Sequence, residues 1–335
     1  MNKKAKEGRR LDSRRADSLK TVASSLISIL IGIIFGGVLL FIVSLFNSDT
    51  MSPTTAWEGF RIVLAGIFNT GRDLDAGGVL TFGFNSRLFG DMLFRATPLI
   101  MTGLSVALAY KTGLFNIGAP GQYLMGTMSA IVVALSLDTS KIPAGLVWIL
   151  AFLTAAVAGA LWGCIPGFFK AFLNVNEVIT TIMLNNIAEF VCEFLAKGPW
   201  KNPDNNIVAG TGNLPQTYWF TKLATGSNLT TVFFVATAMT ILTWYIMQKT
   251  STGYEMRLTG DNPRFARFLG LKTDKIVIVA MLISGMMCGL VGMFRVYGAE
   301  HIYKASISND YYFEGLMVAM IAKYQVLPTA VISAV

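Results

Sequence analysis

Residues 111–135 read KTGLFNIGAPGQYLMGTMSAIVVAL, a long apolar run that is interrupted by Asn116, Gln122 and several glycines. A second run, Asn174–Phe194, reads NVNEVITTIMLNNIAEFVCEF and carries still more polar side chains. Each run is as long as a helix that crosses a bilayer, which needs about 20 residues. Polar groups are costly in hydrocarbon, so we expect these two spans to face each other, around a bundle interior or an aqueous path.

The polar side chains of the two runs are candidates for the lining of a solute pathway. Asn, Gln and Thr side chains can bind a polar solute without holding it tightly, as a pathway requires. The alternative is that they form interhelical hydrogen bonds, or that Asn116 and Glu177 only cap and brace helix ends. The candidate pathway residues are Phe115, Asn116, Gln122, Asn176, Glu177, Thr180, Thr181 and Asn185.

The composition predicts an integral membrane protein. Of the 335 residues, 53% are hydrophobic and only 14% are charged, with a mean hydropathy of +0.57, whereas soluble domains carry about 25% charged residues. The runs are continuous rather than alternating, which favours helices over barrel strands. We therefore predict an all-α polytopic protein with about eight to ten transmembrane helices. Two shorter apolar pieces follow Tyr311 and are split by Lys323 and Pro328. The seven complete runs are Thr21–Phe46, Leu93–Tyr110, Leu114–Leu137, Ile142–Phe169, Val178–Leu195, Leu229–Met247 and Ile276–Arg295.

The charge distribution predicts the topology. Residues 1–20 have a net charge of +5, from eight Lys and Arg against three acids, and residues 249–275 have +3, from six against three. By the positive-inside rule, the basic N-terminal segment 1–20 and the loop 249–275 lie in the cytoplasm, and the loop 198–228 lies outside. The transmembrane domain is 21–335. Because the charge flanks apolar runs, we expect contact with membrane lipid and no binding of nucleic acid. A helix at Trp57–Phe68 is expected to lie at the interface.

The cytoplasmic loop contains a sequence that is typical of a short capped helix. Asp261 and Asn262 precede Pro263 at the first helical position, and Gly270 follows the predicted helix Pro263–Leu269. A rigid cationic helix between two spans is what a soluble motor protein needs for docking. The chain itself has no GxxxxGK[ST] phosphate loop, no HExxH and no GxSxG, so we predict no catalytic residues and no enzyme activity.

The cysteines and the single histidine do not form a metal site in the sequence. Cys164, Cys192 and Cys288 each fall inside an apolar run without CxxC spacing, so we read them as small buried hydrophobes rather than disulfide partners. His301 has no suitable partners nearby. Glycine rows at Gly159, Gly163 and Gly167 and at Gly285, Gly289 and Gly292 predict close helix packing.

Three segments carry a family resemblance. GLFNIGAPGQ, NEVITTIMLN and the loop GYEMRLTGDNPRFARFLGL resemble signature segments of ABC-transporter permease subunits of the ribose, branched-chain amino acid and nucleoside class. The resemblance is greatest to the nucleoside (simple sugar) permeases, whose corresponding segments read GLFNIGAEGQ, NEV with a Thr-rich MLN, and G-x3-RA-x-G-x-N-x2-A-A-x3-G. It covers nearly the whole chain from the second span onward.

The resemblance implies a mechanism and partners. Two permease subunits, usually different but related chains, would form the pathway in the cell membrane, and two ATPases, which bind ATP and Mg²⁺, would grip the coupling loops. An extracytoplasmic binding lipoprotein would deliver the solute, and no cofactor would be bound by this chain itself. The coupling residues implied here are Gly253, Arg257, Gly260, Asn262, Pro263, Ala266 and Gly270.

The sequence departs from the family pattern at several positions. Pro120 stands where Glu is usual, and it could kink or break the third span. Thr259 replaces a common Ala, and Arg267 takes the second Ala of the pair. GLMVAMIAKYQ, which follows Phe313 and Glu314, is an atypical form of the family's FDGIAVALLG.

Three functions are compatible with these observations. The first is the permease subunit of an ATP-driven nucleoside importer, and the second is the same subunit of a pentose or other simple-sugar importer. The third is an ion-coupled secondary transporter or channel that uses Glu177, Glu189 and Glu193 as proton or cation sites. Matched halves with broken helices, which would favour the third, are not visible in the sequence.

Overall fold

The structure is a computed structural model that describes residues 3–46, 53–65, 69–73, 79–137, 142–202, 210–223, 226–304 and 310–334. The described residues form twelve α-helices and one two-stranded antiparallel hairpin, β1 (Asn69–Asp73) with β2 (Val79–Phe82). The helices are α1 (Lys3–Phe46), α2 (Pro53–Ala65), α3 (Ser86–Lys111), α4 (Ala119–Ser136), α5 (Ala144–Leu173), α6 (Glu177–Lys197), α7 (Val232–Lys249), α8 (Ser251–Asp261), α9 (Pro263–Phe268), α10 (Thr273–Arg295), α11 (Asp310–Ile321) and α12 (Val326–Ile332).

The chain divides into two compact units, of which the first comprises residues 1–93 with 224–227. In this unit α1 packs on α2, where the ring of Phe60 fills the space beside Gly37. The hydroxyl of Ser227 donates to the carboxylate of Asp91 at 2.9 Å. The helix expected at Trp57–Phe68 forms as α2, which begins at Pro53 and ends at Ala65, whereas residues 66–68 lie outside the described part of the chain; its position at the interface stays a prediction.

The second unit comprises residues 94–223 and 228–335, and α4, α5 and α10 form its centre. A Cβ atom on Gly159 of α5 would overlap the carbonyl oxygen of Gly285 on α10, and one on Gly289 would overlap that of Ala155. On its other side, α10 contacts α4, because Gly126 lies against the backbone of Gly289. The predicted glycine rows thus bring three helix backbones into direct contact, as small residues in membrane helices do.

Each of the seven apolar runs contains a helix in the structure, which confirms the predicted all-α membrane fold, although β1 and β2 were not expected. Six described helices are long and apolar enough to cross a membrane: Ile27–Phe46, Ser86–Lys111, Ala144–Leu173, Glu177–Lys197, Val232–Lys249 and Thr273–Glu300. The estimate of about eight to ten spans counted further segments, namely α4 and the two C-terminal pieces. α4 has 18 residues but its first turns are polar and small, and α11 has only 12 residues.

Three local expectations need correction. Pro120 neither kinks nor breaks a span, because α4 begins at Ala119 and proline in a first turn leaves no hydrogen bond unmade. The loop 249–275 contains a second helix, α8, which its polar sequence did not indicate. Pro328 lies within α12, so the break between the C-terminal helices occurs at Lys323 and Tyr324, which both adopt the left-handed conformation.

Candidate functional site

Two of the candidate pathway residues, Asn116 and Gln122, are buried and hydrogen-bonded to each other. The Asn116 amide donates to Gln122 Oε1 at 3.0 Å and to Ser284 Oγ at 2.8 Å, while its Oδ1 accepts the N–H of Gly118 at 2.9 Å. The hydroxyl of Tyr312 donates to the Asn116 carbonyl at 2.6 Å. Asn116 and Gln122 are each 1% exposed. They therefore join α4, α10 and α11 inside the bundle instead of facing an open path in this conformation.

The same polar network continues into α3. Ser105 Oγ lies 2.8 Å from Ser284 Oγ and 3.0 Å from Cys288 Sγ, and the Ser284 hydroxyl lies 3.1 Å from the Ser105 carbonyl oxygen. All three residues are fully buried. Serine hydroxyls that are paired in this way satisfy their hydrogen-bonding capacity away from water. Ser105, Ser284 and Tyr312 were not predicted, because isolated polar residues in apolar runs give no signal of their own.

Asn185 on α6 caps the N-terminus of α4. Its Oδ1 accepts the N–H of Gly121 at 2.9 Å, and its amide donates to the carbonyl of Ile117 at 2.9 Å. The N-cap position of α4 is Gly118, which has no side chain to serve as a cap, so a neighbouring helix supplies the group. The two polar runs thus face each other as expected, and Asn185 connects them.

Asn176, Thr180 and Thr181 are used within α6. Asn176 is the N-cap, and its Oδ1 accepts the N–H of Val178 at 2.9 Å. Thr180 and Thr181 donate to the carbonyls of Asn176 and Glu177, at 3.0 and 2.7 Å. Thr181 is fully buried against Gly118. These contacts agree with the alternative that such residues brace the bundle.

Glu177 and Phe115 line a cavity at one end of the second unit. The Glu177 carboxylate forms an ion pair with Lys170 of α5, with 2.9 Å between Nζ and Oε2. The cavity has a volume of about 620 Å³ and also contacts Arg257 and Gly260 of α8. Two residues of the predicted pathway and two of the predicted coupling set are therefore brought together here. The remaining lining residues are Tyr110, Lys111, Gly113, Leu114 and Asp261.

The coupling segment is built on tight backbone contacts. A Cβ on Gly253 would overlap the carbonyl oxygen of Ile246, which lies in α7, and one on Gly260 would overlap that of Lys111. Met256 is fully buried between these contacts. α8 is therefore fixed against both α7 and the loop after α3.

α9 forms as the sequence predicts, one residue shorter than expected. Asn262 is its N-cap, with Oδ1 accepting the N–H of Phe265 at 3.0 Å, and Pro263 is its first residue. Ala266 is the only buried residue of α9, and Gly270 has a φ of +81° where the chain reverses. Arg267 bonds Thr273 and Asp274 at the start of α10, at 2.8 and 3.1 Å.

The outer surface of α9 combines positive charge with apolar side chains. Phe265, Phe268 and Leu269 are 47%, 85% and 51% exposed, and Arg264 is exposed beside them. A phenylalanine as exposed as Phe268 on a polar loop is typical of a residue that a partner protein covers.

The opposite end of α7 adjoins the loop 198–228. Trp219 stacks on His301 with 3.6 Å between ring centroids, and Arg295 pairs with Glu300 across a single π-helical turn, Val296–Glu300. The pKa of His301 is lowered from 6.5, mainly because burial disfavours its charged form and also because Lys222 is near. This loop and the loop 249–275 thus lie at opposite ends of an 18-residue helix, about 27 Å apart. Residues 203–209 and 224–225 of the loop lie outside the described part.

The described residues hold no group of three or more His, Cys, Asp or Glu side chains that could bind a metal ion. Cys192 and Cys288 are free and buried, and Cys164 is free and half-buried. Among the carboxylates that an ion-coupled transporter could use, Glu177 pairs with Lys170 and Glu193 pairs with Lys197. Such pairing makes both groups poor sites for a transported cation.

Comparison with known proteins gives one family and several relatives. A family model described as the permease component of the branched-chain amino acid transport system matches residues 88–335. A glucose ABC transporter permease protein of Haloferax volcanii is 33% identical over 75% of this chain and 68% of its own length. A guanosine ABC transporter permease protein of Bacillus subtilis is 34% identical over 69% of this chain and 66% of its own length.

A nucleoside ABC transporter permease protein of Lactococcus lactis is 33% identical over 71% of this chain and 67% of its own length. The match thus spans about two thirds of the length of each of these relatives. No solved structure matches the chain significantly.

Proposed function

The chain belongs to the family of permease components of branched-chain amino acid transport systems, and from this premise we propose that it forms the translocation path of an ATP-driven importer for nucleosides. It is a multi-pass protein of the cell membrane and a transport component rather than an enzyme. The nucleoside assignment is supported by two relatives, a guanosine permease at 34% identity and a nucleoside permease at 33% identity.

The observation that carries the ATP-driven mechanism is the exposed tip of α9. The apolar and basic residues of this surface lie on a helix that Asn262 caps at its N-terminus and that Gly270 follows at its C-terminus. Arg267 bonds this helix to the start of α10. A rigid tip of this kind suits a soluble ATPase, because binding then costs little conformational entropy. ATP and Mg²⁺ would be bound by that ATPase and not by this chain.

Two further partners complete the proposal. A second permease subunit, a different but related chain, would supply the other half of the path. An extracytoplasmic binding lipoprotein would deliver the solute to the end that carries the loop 198–228. That end lies opposite α9, as delivery from outside and energy input from the cytoplasm require.

The candidate pathway residues divide into two groups. Phe115 and Glu177 line the cavity next to α8 and would meet the solute as it leaves towards the cytoplasm. Asn116, Gln122, Thr180, Thr181 and Asn185 already have hydrogen-bond partners, and Asn176 caps α6. For these six, contact with solute would require the bundle to open during the transport cycle.

A simple-sugar importer is the second candidate function, because one of the relatives is a glucose permease at 33% identity. The ion-coupled alternative is not favoured, because the matching family and the relatives are permeases of ABC transporters.

Uptake measurements test the proposal and separate the two candidates. The complete transporter would be produced with and without this chain, in cells that lack nucleoside uptake of their own, and offered radiolabelled guanosine, uridine, ribose and glucose. We expect that only nucleoside uptake requires the chain. A requirement for sugar uptake alone would establish the second candidate, and no requirement for any of the four would refute both.

A further inference from the structure

The exposed face of α6 differs from the exposed face of α5, the longest helix in the second unit. The exposed residues of α6 before Lys197 include two polar ones, Asn186 and Glu189, among six large apolar ones: Ile179, Ile182, Met183, Ile187, Phe190 and Phe194. Neither Asn186 nor Glu189 has a hydrogen-bond or ion-pair partner among the residues that the structure describes. The neighbouring polar residues do: Asn185 caps α4, and Glu193 pairs with Lys197.

Both residues lie in the central part of the span. α6 runs for 21 residues, about 32 Å, and Asn186 is its tenth residue. Glu189 follows three residues later on the same face, within one helical turn. At this depth neither side chain can extend to a headgroup region, because Asn and Glu side chains are shorter than the Lys and Arg side chains that do so.

The exposed face of α5 provides a comparison within the same unit. Every exposed residue of α5 is apolar, including Leu153, Val157 and Leu161 near its middle. This face has the composition that lipid requires, whereas an amide and a carboxylate at mid-span do not fit hydrocarbon. Lipid therefore suits the outer face of α5 and does not suit the face of α6 that carries Asn186 and Glu189.

We propose that the face of α6 around Asn186 and Glu189 lines the aqueous route of the transported solute, at the middle of the membrane. The inference rests on the proposed function and adds the residues that line the path, because Asn116, Gln122 and Asn185 already form hydrogen bonds within the bundle. The apolar neighbours, such as Phe190, would offer surface to an aromatic base.

The chemistry of the two side chains also specifies the class of solute. The Asn186 amide can donate and accept, and an ionised Glu189 accepts only, so together they suit neutral molecules with several O–H or N–H donors. A nucleoside meets this description with its ribose hydroxyls. A nucleotide does not, because its phosphate would be repelled by the carboxylate.

Cysteine labelling in the assembled transporter tests the location. Asn186→Cys, Glu189→Cys and the control Val157→Cys would each be made in a Cys164→Ala background, since the other two cysteines are buried. Membrane vesicles would be treated with a small charged methanethiosulfonate reagent. We expect residues 186 and 189 to react at least tenfold faster than residue 157, and saturating guanosine to slow their labelling.

The outcomes separate this inference from the proposed function. If residues 186 and 189 are labelled as slowly as residue 157, the inference is overturned, because the face is then covered by lipid or by a dry contact with the second permease. Nucleoside uptake by the unmodified chain is measured in the same cells, so the proposed function stands or falls independently.

A second measurement covers the case in which the cysteine variants do not assemble. Asn186→Leu and Glu189→Leu should lower the initial rate of guanosine uptake at least tenfold, with unchanged amounts of chain in the membrane, while Val157→Leu should leave it unchanged. Normal uptake by both polar-to-Leu variants would contradict the inference.

Discussion

Asn185 of α6 accepts the backbone N–H of Gly121 in the first turn of α4, at 2.9 Å, and so completes a helix terminus that its own N-cap glycine cannot complete. The contact joins two segments that are 64 residues apart in the chain. It gives a structural role to a residue whose position in an apolar run had suggested solute contact.

Asn185→Leu should destabilise the second unit by about 1–3 kcal/mol, because the N–H of Gly121 in α4 and the carbonyl of Ile117 just before α4 lose their partner. The measurement is the temperature at which the detergent-purified chain ceases to elute as a single species. Asn186→Leu is the matched control: its side chain is exposed and should not change this temperature. Equal effects of the two substitutions would contradict the capping role.

Gly289→Ala should destabilise the chain by about 1–3 kcal/mol, because the new methyl group would overlap the backbone of α5. Gly145→Ala, at an exposed position of α5 with open space around it, should be neutral or stabilising by up to about 1 kcal/mol. Thermal stability of both variants in the same detergent checks the prediction, which fails if Gly289→Ala is as stable as Gly145→Ala.

Replacing residues 260–268 with a flexible Gly/Ser linker should abolish solute-stimulated ATP turnover in the assembled transporter while leaving the protein in the membrane. The milder Phe268→Ala should reduce turnover at least tenfold, since a hot-spot side chain at an interface contributes about 2 kcal/mol or more. Phe234→Ala, at a similarly exposed phenylalanine of α7, serves as the control. Unchanged turnover in the linker variant would rule out docking through α9.

Thr217→Cys and Arg264→Cys should react with an impermeant thiol reagent from opposite sides of the membrane. Both positions are exposed, and they lie beyond opposite ends of α7. The charge distribution places residue 264 on the cytoplasmic side and residue 217 outside. Arg264→Cys should therefore react in inverted vesicles, and Thr217→Cys should react in intact cells. Reaction of both in intact cells would show that the predicted topology is wrong.

Acidification should destabilise the fold through His301, the only histidine. Its pKa in the folded chain lies below 6.5, mainly through burial and also through Lys222, so the folded state favours the neutral ring. The unfolded chain binds the proton first, and stability is therefore complete above pH 6.5 and declines as the pH falls towards the lower pKa.

His301→Asn removes the titrating ring at a position whose φ of +57° asparagine tolerates. The loss of thermal stability between pH 7.5 and pH 5.5 should be smaller in this variant than in the unmodified chain. An equal loss would assign the pH dependence to other groups.

Local signals made much of the fold predictable. The seven apolar runs, the cap at Asn262, the stop at Gly270 and the glycine rows all depend on residues close in sequence, and the structure confirms each. α8 was missed because its polar sequence has no apolar stripe, and the start of α4 was misplaced because Gly and Asn in an apolar run do not reveal where the helix begins.

The site was less predictable because it depends on contacts between distant segments. The polar residues of the two signature runs were identified, but their partners, Ser284 on α10 and Lys170 on α5, give no signal in the sequence. Whether a polar residue such as Asn185 faces a neighbouring helix or a solute is decided only when the helices are assembled.

The glycine contacts between α5 and α10 have a mechanical consequence. Two helices whose backbones touch directly cannot slide past each other through changes in side-chain rotamers. α5 and α10 must therefore move together, as a single stiff lever. Arg267 ties α9 to the first turn of this lever. Since α10 is about 34 Å long, a push that the proposed ATPase delivers to α9 would arrive at Arg295 and Glu300, beside the opposite end of α10.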